Sequence, residues 1–409
     1  MVERYVNVDR ATPMLLPVDM RDWVSKEDVV HLIIEAVEQV DLRAAKVNRR
    51  GSGSAQYPPG MMLALLIYCY SQGVFSSRKI ERASWVNVAV RYLTGDTHPD
   101  HDTIAKFRRE QSVLLQQTFA EVLRIAYELG MARLGTVCLD GTKIRAHAST
   151  RTNLNDAQLQ ALLEAEAAQR IGQAEQVDQV SEDEGLPPGL NEVRARRERV
   201  RAAREAIARR ASEQKRAPRP TDVANTTDPD SRLMRSPKGT IQAYNAQAGA
   251  CAQTRLISAA RVSTANQDRH ELVPTLEALA PSADCPTAVV ADCGYDQHEQ
   301  VVTAERRWQA QVYIPPQAPF YSGPRQSRTR AAITAERLQR HQRVHSDQGQ
   351  QLMRQRRTVI EPIFGILKTV MGFERFHLRG HRKVSSEWIL LCTAYNLRTM
   401  HRWQQNNRG

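Results

Sequence analysis

The sequence predicts an α/β protein, in which a mixed sheet with flanking helices follows an all-helical N-terminal region and carries a charged helical insertion. Three observations lead there. Residues 1 to about 130 show helical periodicity, and β-branched, strand-like runs begin only after Gly135. Beyond them strand and helix patterns alternate, the layout of helices packed on a sheet. A chain of 409 residues is expected to hold two or three units. The pattern divides it into 1–130, an all-helical domain, and 131–409, an α/β domain with 153–222 as the insertion.

In the helical region, Lys26 to Val40 sets Val29, Val30, Ile33, Ala36 and Val37 along one broad stripe, with Ser25 as a candidate cap. Pro58-Pro59-Gly60 opens a second helix through Met61, Leu63, Leu65, Leu66 and Ile67. Ser76 to Val90 and Asp102 to Leu129 continue the pattern, and Gly130 is placed to close the last helix. Between them, Thr97 to Thr103 is a polar turn leading into a helix with Lys106, Arg108 and Arg109. Such a helix is a candidate for docking in a DNA groove.

After Gly135, the run Thr136 to Ile144 reads as a strand interrupted at Asp140-Gly141. Gln242 to Cys251 and Arg255 to Thr264 form two arms of a hairpin. Arg269 to Leu279 reads as a helix, and Thr287 to Ala291 as a short strand ending at Asp292. Gln297 to Trp308 is again helical, with Asp296 as its cap, and Gln311 to Ile314 is a strand cut off by Pro315-Pro316. In the insertion, Asn155 to Gly185 holds eight acidic residues and one basic, whereas Asn191 to Pro220 holds eleven basic and four acidic. With a turn at 185–189, the two arms are expected to attract each other as an antiparallel helical hairpin. Few large apolar residues anchor it, so it is expected either to project from the core or to be partly disordered.

The charge balance points to a polyanionic partner. There are 57 Lys and Arg against 45 Asp and Glu, a formal net charge of +12. The segment from Pro324 to Gly409 alone holds 17 basic and 5 acidic residues, so its excess equals that of the whole chain. Basic side chains on phosphates release condensed counterions, which makes this quarter a candidate nucleic-acid surface. The six cysteines are scattered without a CxxC pair, which argues against a zinc site and a disulfide framework. The longest apolar run, Met61 to Tyr70, is too short to span a bilayer, and no secretory segment is legible. A cytoplasmic protein is expected.

Three acids can carry chemistry. Asp140 and Asp292 each lie where an apolar strand emerges, the place where ligands gather in open α/β sheets. Burying either acid is costly without a compensating positive charge, which a metal ion or Lys143 could supply. Asp140 also fits an ordinary Asp-Gly turn. Glu361 lies in Arg357-Thr358-Val359-Ile360-Glu361-Pro362-Ile363-Phe364-Gly365-Ile366-Leu367-Lys368, read as a helix. There Arg357, Glu361 and Lys368 fall on one side, and Pro362 marks a start or kink. The spacing equally permits a plain Arg357–Glu361 salt bridge. Taken together, three acids can hold two metal ions for phosphoryl transfer, with Arg and Lys offsetting transition-state charge.

These residues resemble the DDE transposases of bacterial insertion sequences. Asp140 in LDGT, Asp292 in ADCGYD and Glu361 in RTVIEPIFGILK carry the likeness, and Arg357, Glu361 and Lys368 match the family's R-x3-E-x6-K signature. The tail Glu387 to Arg398 is similar to the family's closing helix, and Tyr57-Pro58-Pro59 with its apolar helix to the helical N-terminal domain. The resemblance implies a ribonuclease H-like fold from residue 135 onward and Mg2+ or Mn2+, two ions, on the three acids. It also implies double-stranded DNA as partner, a homodimer on DNA, cleavage at inverted-repeat ends and transfer of the freed 3′-hydroxyl to target DNA. Arg357, Lys368, Arg354 and Lys143 are the expected phosphate contacts. Arg354 stands where many relatives carry a Tyr, so that residue's role at the flipped DNA end does not carry over. The same pattern admits a nuclease that cuts without joining, or a non-catalytic DNA-binding derivative.

Overall fold

The computed structural model describes residues 19–48, 55–131, 135–165, 190–237, 239–280, 285–316 and 335–407. Among them, six α-helices precede the first strand: α1 (Val29–Glu38), α2 (Pro59–Ser71), α3 (Ser77–Val86), α4 (Val88–Thr94), α5 (His101–Glu110) and α6 (Ser112–Glu128). α2 is apolar on every side, and all its residues from Met62 to Ser71 are buried, so the other helices gather around it. The helix boundaries differ from the sequence reading where side chains compete for backbone bonds. Asp28, not Ser25, caps α1 by accepting from the Val30 N–H at 2.8 Å. Asn87 accepts from Val90 N at 3.0 Å and splits the 76–90 helix into α3 and α4. Gln111 interrupts 102–129, because its side-chain amide bonds both the N–H and the carbonyl of Lys46, each at 2.8 Å. Gly130 closes α6 with φ +74°.

β1 (Thr136–Arg145) runs straight through Asp140-Gly141, a correction to the interrupted strand expected. The elements that follow are β2 (Asn153–Asn155), helix α7 over 156–165, α8 (Leu190–Glu213), β3 (Val223–Asn225), β4 (Arg232–Ser236), β5 (Gly239–Cys251) and β6 (Ile257–Ser263). Then come α9 (Leu272–Glu277), β7 (Ala288–Val290), α10 (His298–Trp308), β8 (Gln311–Tyr313), α11 (Ala335–His345), α12 (Asp347–Gly365) and α13 (His381–Asn407). α9 is shorter than the helix expected over Arg269 to Leu279. β5 explains the continuity of β1, since it pairs antiparallel with it from Val137↔Cys251 to Arg145↔Ala243. On the other edge of β1, β7 pairs in parallel over only Thr136 to Cys138, and β8 extends that parallel part. β6 and β4 pair antiparallel with β5, completing a mixed sheet of six strands. Three parallel strands beside an antiparallel hairpin form the layout expected of a ribonuclease H-like fold.

The described part of the insertion has a small core of its own, separate from the main one. Leu159 on α7 packs with Val200, Ala203, Ala206 and Ile207 on α8 and Ala224 on β3, while β2 and β3 pair beneath. Arg204 ties the two arms through an ion pair to Asp156 at 2.7 Å. The rest of the acidic arm and the turn at 185–189 lie outside the described residues. Gln297, whose side chain accepts from Gln300 N, caps α10 in place of Asp296, which instead faces Arg337 at 3.7 Å.

α12 begins at Asp347, so Pro362 lies inside it rather than at its start, and the chain leaves through a π turn over Ile366–Val370. α13 closes the molecule. Trp388 donates to the Gln247 carbonyl at 3.0 Å, and Asn396 bonds both the N–H and the carbonyl of Ile257 at 2.8 Å. One apolar core runs from α1–α6 through α12 and α13 to β5 and β6.

Candidate active site

The register of β1 and β7 sets the geometry. Cys138 pairs with Val290, and β7 then ends while β1 continues. Two residues further along each chain stand Asp140 and Asp292, near enough for the charge of one to act on the carboxyl of the other. Each acid is tied to a nearby glycine N–H: Asp140 Oδ1 accepts from Gly141 at 2.8 Å and Asp292 Oδ1 from Gly294 at 2.9 Å. Burial pushes the Asp140 carboxyl up to about 6; the Arg356 charge opposes this, and the charges of Asp292 and Asp268 reinforce it.

Arg356 reaches this acid from α12. Its Nη2 lies 2.8 Å from Asp140 Oδ2, and its Nε donates to the Leu139 carbonyl at 3.2 Å. The sequence reading had chosen the next residue, Arg357, which is exposed. A signal for Arg356 was available: with Val359, Ile360 and Ile363, all buried, it forms the stripe of α12 that faces the sheet. Lys368, just beyond α12, donates to Thr142 Oγ1 and to the Lys143 carbonyl. Burial lowers its pKa, and the nearby Asp140 charge counters that. Lys143 lies on β1 beside them, half-buried.

Glu361 and Arg354 are exposed on α12 like Arg357, and none of the three bonds Asp140. The alternative Arg357–Glu361 salt bridge does not form, and Glu361 has no ion-pair partner among the described residues. Arg108, expected on a groove-facing helix, is buried: it donates to Tyr70 Oη at 3.0 Å and to the Phe75 carbonyl at 2.6 Å. Its role is structural, while Lys106 and Arg109 remain exposed.

Sequence reasoning missed Asp268, in the loop after β6. Its Oδ1 accepts from Asn245 Nδ2 at 2.7 Å and Gln247 Nε2 at 2.6 Å, both from β5. Gln247 is held in turn by the buried Tyr295 hydroxyl. A Cβ at position 141 would crowd Gln247 Nε2 and come within 2.6 Å of Asp268 Oδ1, so glycine there lets this hydrogen-bonded group lie directly over β1.

Oxygen donors alone make up the acidic side of this site, the set a hard divalent cation selects. Burial, and after it the charges of Asp292 and Asp268, raise Asp140, and such a cation would relieve both. As the side chains stand, no three His, Cys, Asp or Glu among the described residues converge closely enough to hold an ion. Arg356 instead supplies the positive charge at Asp140.

The mixed sheet, three parallel strands beside an antiparallel hairpin, has the layout of the ribonuclease H-like class, with Asp140, Asp268 and Asp292 near one another on it. Residues 216–397 match the family model described as a transposase DDE domain, and residues 18–110 match that of a transposase domain (DUF772). With transposase domains matched in both its helical and its α/β parts, the chain belongs to the DDE transposases of insertion sequences. The DDE match includes Asp292, Glu361 and Lys368 but begins after Asp140. No curated protein and no solved structure matches the chain. Among the described residues, no helix is long and apolar enough to cross a membrane.

Proposed function

We propose that this transposase cuts DNA at the inverted-repeat ends of its element and joins the freed 3′-hydroxyl to target DNA, with Asp140, Asp292 and Glu361 as the catalytic acids. The observation that carries the reading is the nearness of Asp292 to the buried Asp140, just beyond the parallel pairing of β1 and β7, in a chain with both transposase domains. A pair of Mg2+ or Mn2+ ions bound there would activate the attacking water or 3′-hydroxyl and stabilise the leaving oxygen.

The residues themselves do the rest. Asp140 and Asp292 present fixed oxygens, because the glycine N–H groups and Arg356 hold them in place. Glu361, unpaired among the described residues, is the third acid by its place in the R-x3-E-x6-K spacing. Lys368 sets positive charge near Asp140, where a scissile phosphate would lie, and charge fixed in advance lowers the cost of developing negative charge; Lys143 is a further phosphate contact. Arg357 and Arg354 line the exposed side of α12 as further phosphate contacts. Two ends must be paired for transfer, so the acting species is a homodimer on DNA.

A strand-transfer assay tests the reading: purified protein, Mg2+, a duplex carrying the element's end and a target plasmid. Joined product is expected, and its loss in Asp292→Asn. Cleaved ends without joined product would make the protein a nuclease that does not join ends. Specific binding with neither product would make it a DNA-binding derivative.

A further inference from the structure

Beyond the carboxylates, β1 carries a second charged feature at its far end. There Arg145 enters a cleft of about 600 Å³, whose lining includes Arg375, Arg379, His147, Ser149 and Thr150. No acidic residue lines it. The backbone builds this cluster. Arg145 and Arg375 pair as an isolated parallel bridge, and Phe376, buried in the core, donates its N–H to the Arg145 carbonyl at 2.9 Å. Arg379 Nε donates to the His147 carbonyl at 2.9 Å, closing the rim. The Arg145 and Arg375 side chains are exposed, and neither has an ion-pair or hydrogen-bond partner among the described residues. Two guanidinium groups on adjacent backbones repel each other unless an anion sits between them. The hydroxyls around them are donors suited to phosphate oxygens.

We propose that this cleft holds the sugar-phosphate backbone of DNA about five base pairs from the bond positioned at Asp140 and Asp292. Five strand residues separate Asp140 from Arg145, roughly 17 Å at about 3.3 Å each. One DNA strand places a phosphate every ~3.4 Å of helix axis, so that span corresponds to about five base pairs. Lys368, whose ammonium donates to Thr142 Oγ1 and to the Lys143 carbonyl, lies along β1 between the acids and the cleft. The predicted spacing rests on the reading of the acids as the cleavage site; binding in the cleft does not.

The test measures binding of a duplex bearing the element's end across a range of salt, for wild type and for Arg145→Gln/Arg375→Gln. Both side chains are exposed, so the variant is expected to fold, which its melting temperature checks. Its salt slope should fall by about 0.9 per arginine, or roughly 60-fold weaker binding at 0.1 M salt if the curves meet at 1 M. Arg145→Lys/Arg375→Lys should restore the slope. Phosphate ethylation about five base pairs from the cut should impair wild-type binding and leave the glutamine variant indifferent. An unchanged slope in the folded glutamine variant overturns the proposal, as it would if the cleft took free phosphate instead. A reduced slope in a protein that never cleaves would keep the cleft and reject the cleavage reading. Normal cleavage with interference mapping elsewhere would do the reverse.

Discussion

At Asp140, burial raises the carboxyl to about 6 even though Arg356 sits on it. An unfolded aspartate titrates near 3.9, so this group adds stability that is fully present below that value and lost as pH rises through 6. In metal-free protein, the melting temperature should therefore fall between about pH 4 and pH 6, and Asp140→Asn should lose that part of the slope. Parallel melting curves for the two proteins would show that Asp140 is not held in this way. Arg356 gives a second contrast at this scale. Breaking a buried ion pair by removing one partner costs about 3–5 kcal/mol, whereas an exposed arginine costs within about 0.5. Denaturant unfolding should thus separate Arg356→Ala from Arg357→Ala by several kcal/mol, and equal stabilities would contradict the placement. Asp292 and Asp140 were legible in the sequence because an apolar strand leading into an acid is a local pattern. Asp268 was not, since it lies in a loop without periodicity and is brought in by Asn245 and Gln247 on a separate strand.

Among the elements, α13 depends most on a single buried charge. Glu387 is fully buried and accepts from Tyr70 Oη and from the N–H groups of His377 and Leu378, each at 2.9 Å; Arg108 lies 4.0 Å away. Burial alone would raise its pKa, but the His377 hydrogen bond and the Arg108 charge outweigh that and hold it below the usual value. Its stabilisation is present at neutral pH and lost as pH falls through the folded-state value. Arg108→Ala should cost about 3–5 kcal/mol and leave α2, α5 and α13 less firmly joined, read by hydrogen exchange in α13. Unchanged protection there would show that the contact carries little. The breaks at Asn87 and Gln111 show why helix ends were less legible than helices. Gln111 finds its partner in Lys46, far away in sequence, and no window along the chain contains both. The continuity of β1 had the same cause, because β5, which holds it through Asp140-Gly141, arrives only after the insertion.

In the whole molecule, charge and packing divide the work. Part of the basic C-terminal excess is spent internally, since Arg343 pairs with Glu305 and Arg356 with Asp140. Arg354, Arg357, Arg375 and Arg379 stay exposed, the last two at the cleft. The helical region and the sheet share one apolar core through α13, so the site is framed by elements from both ends of the chain. The central claim is that Asp140, Asp292 and Glu361 act together on DNA ends. It is tested most directly by Mg2+-dependent cleavage of a repeat-end duplex with wild type, Asp140→Ala, Asp292→Ala and Glu361→Ala, with duplex binding measured alongside. Near-total loss of cleavage in each variant, with repeat binding preserved, is the expected result; full cleavage by any one of them would remove that residue from the site.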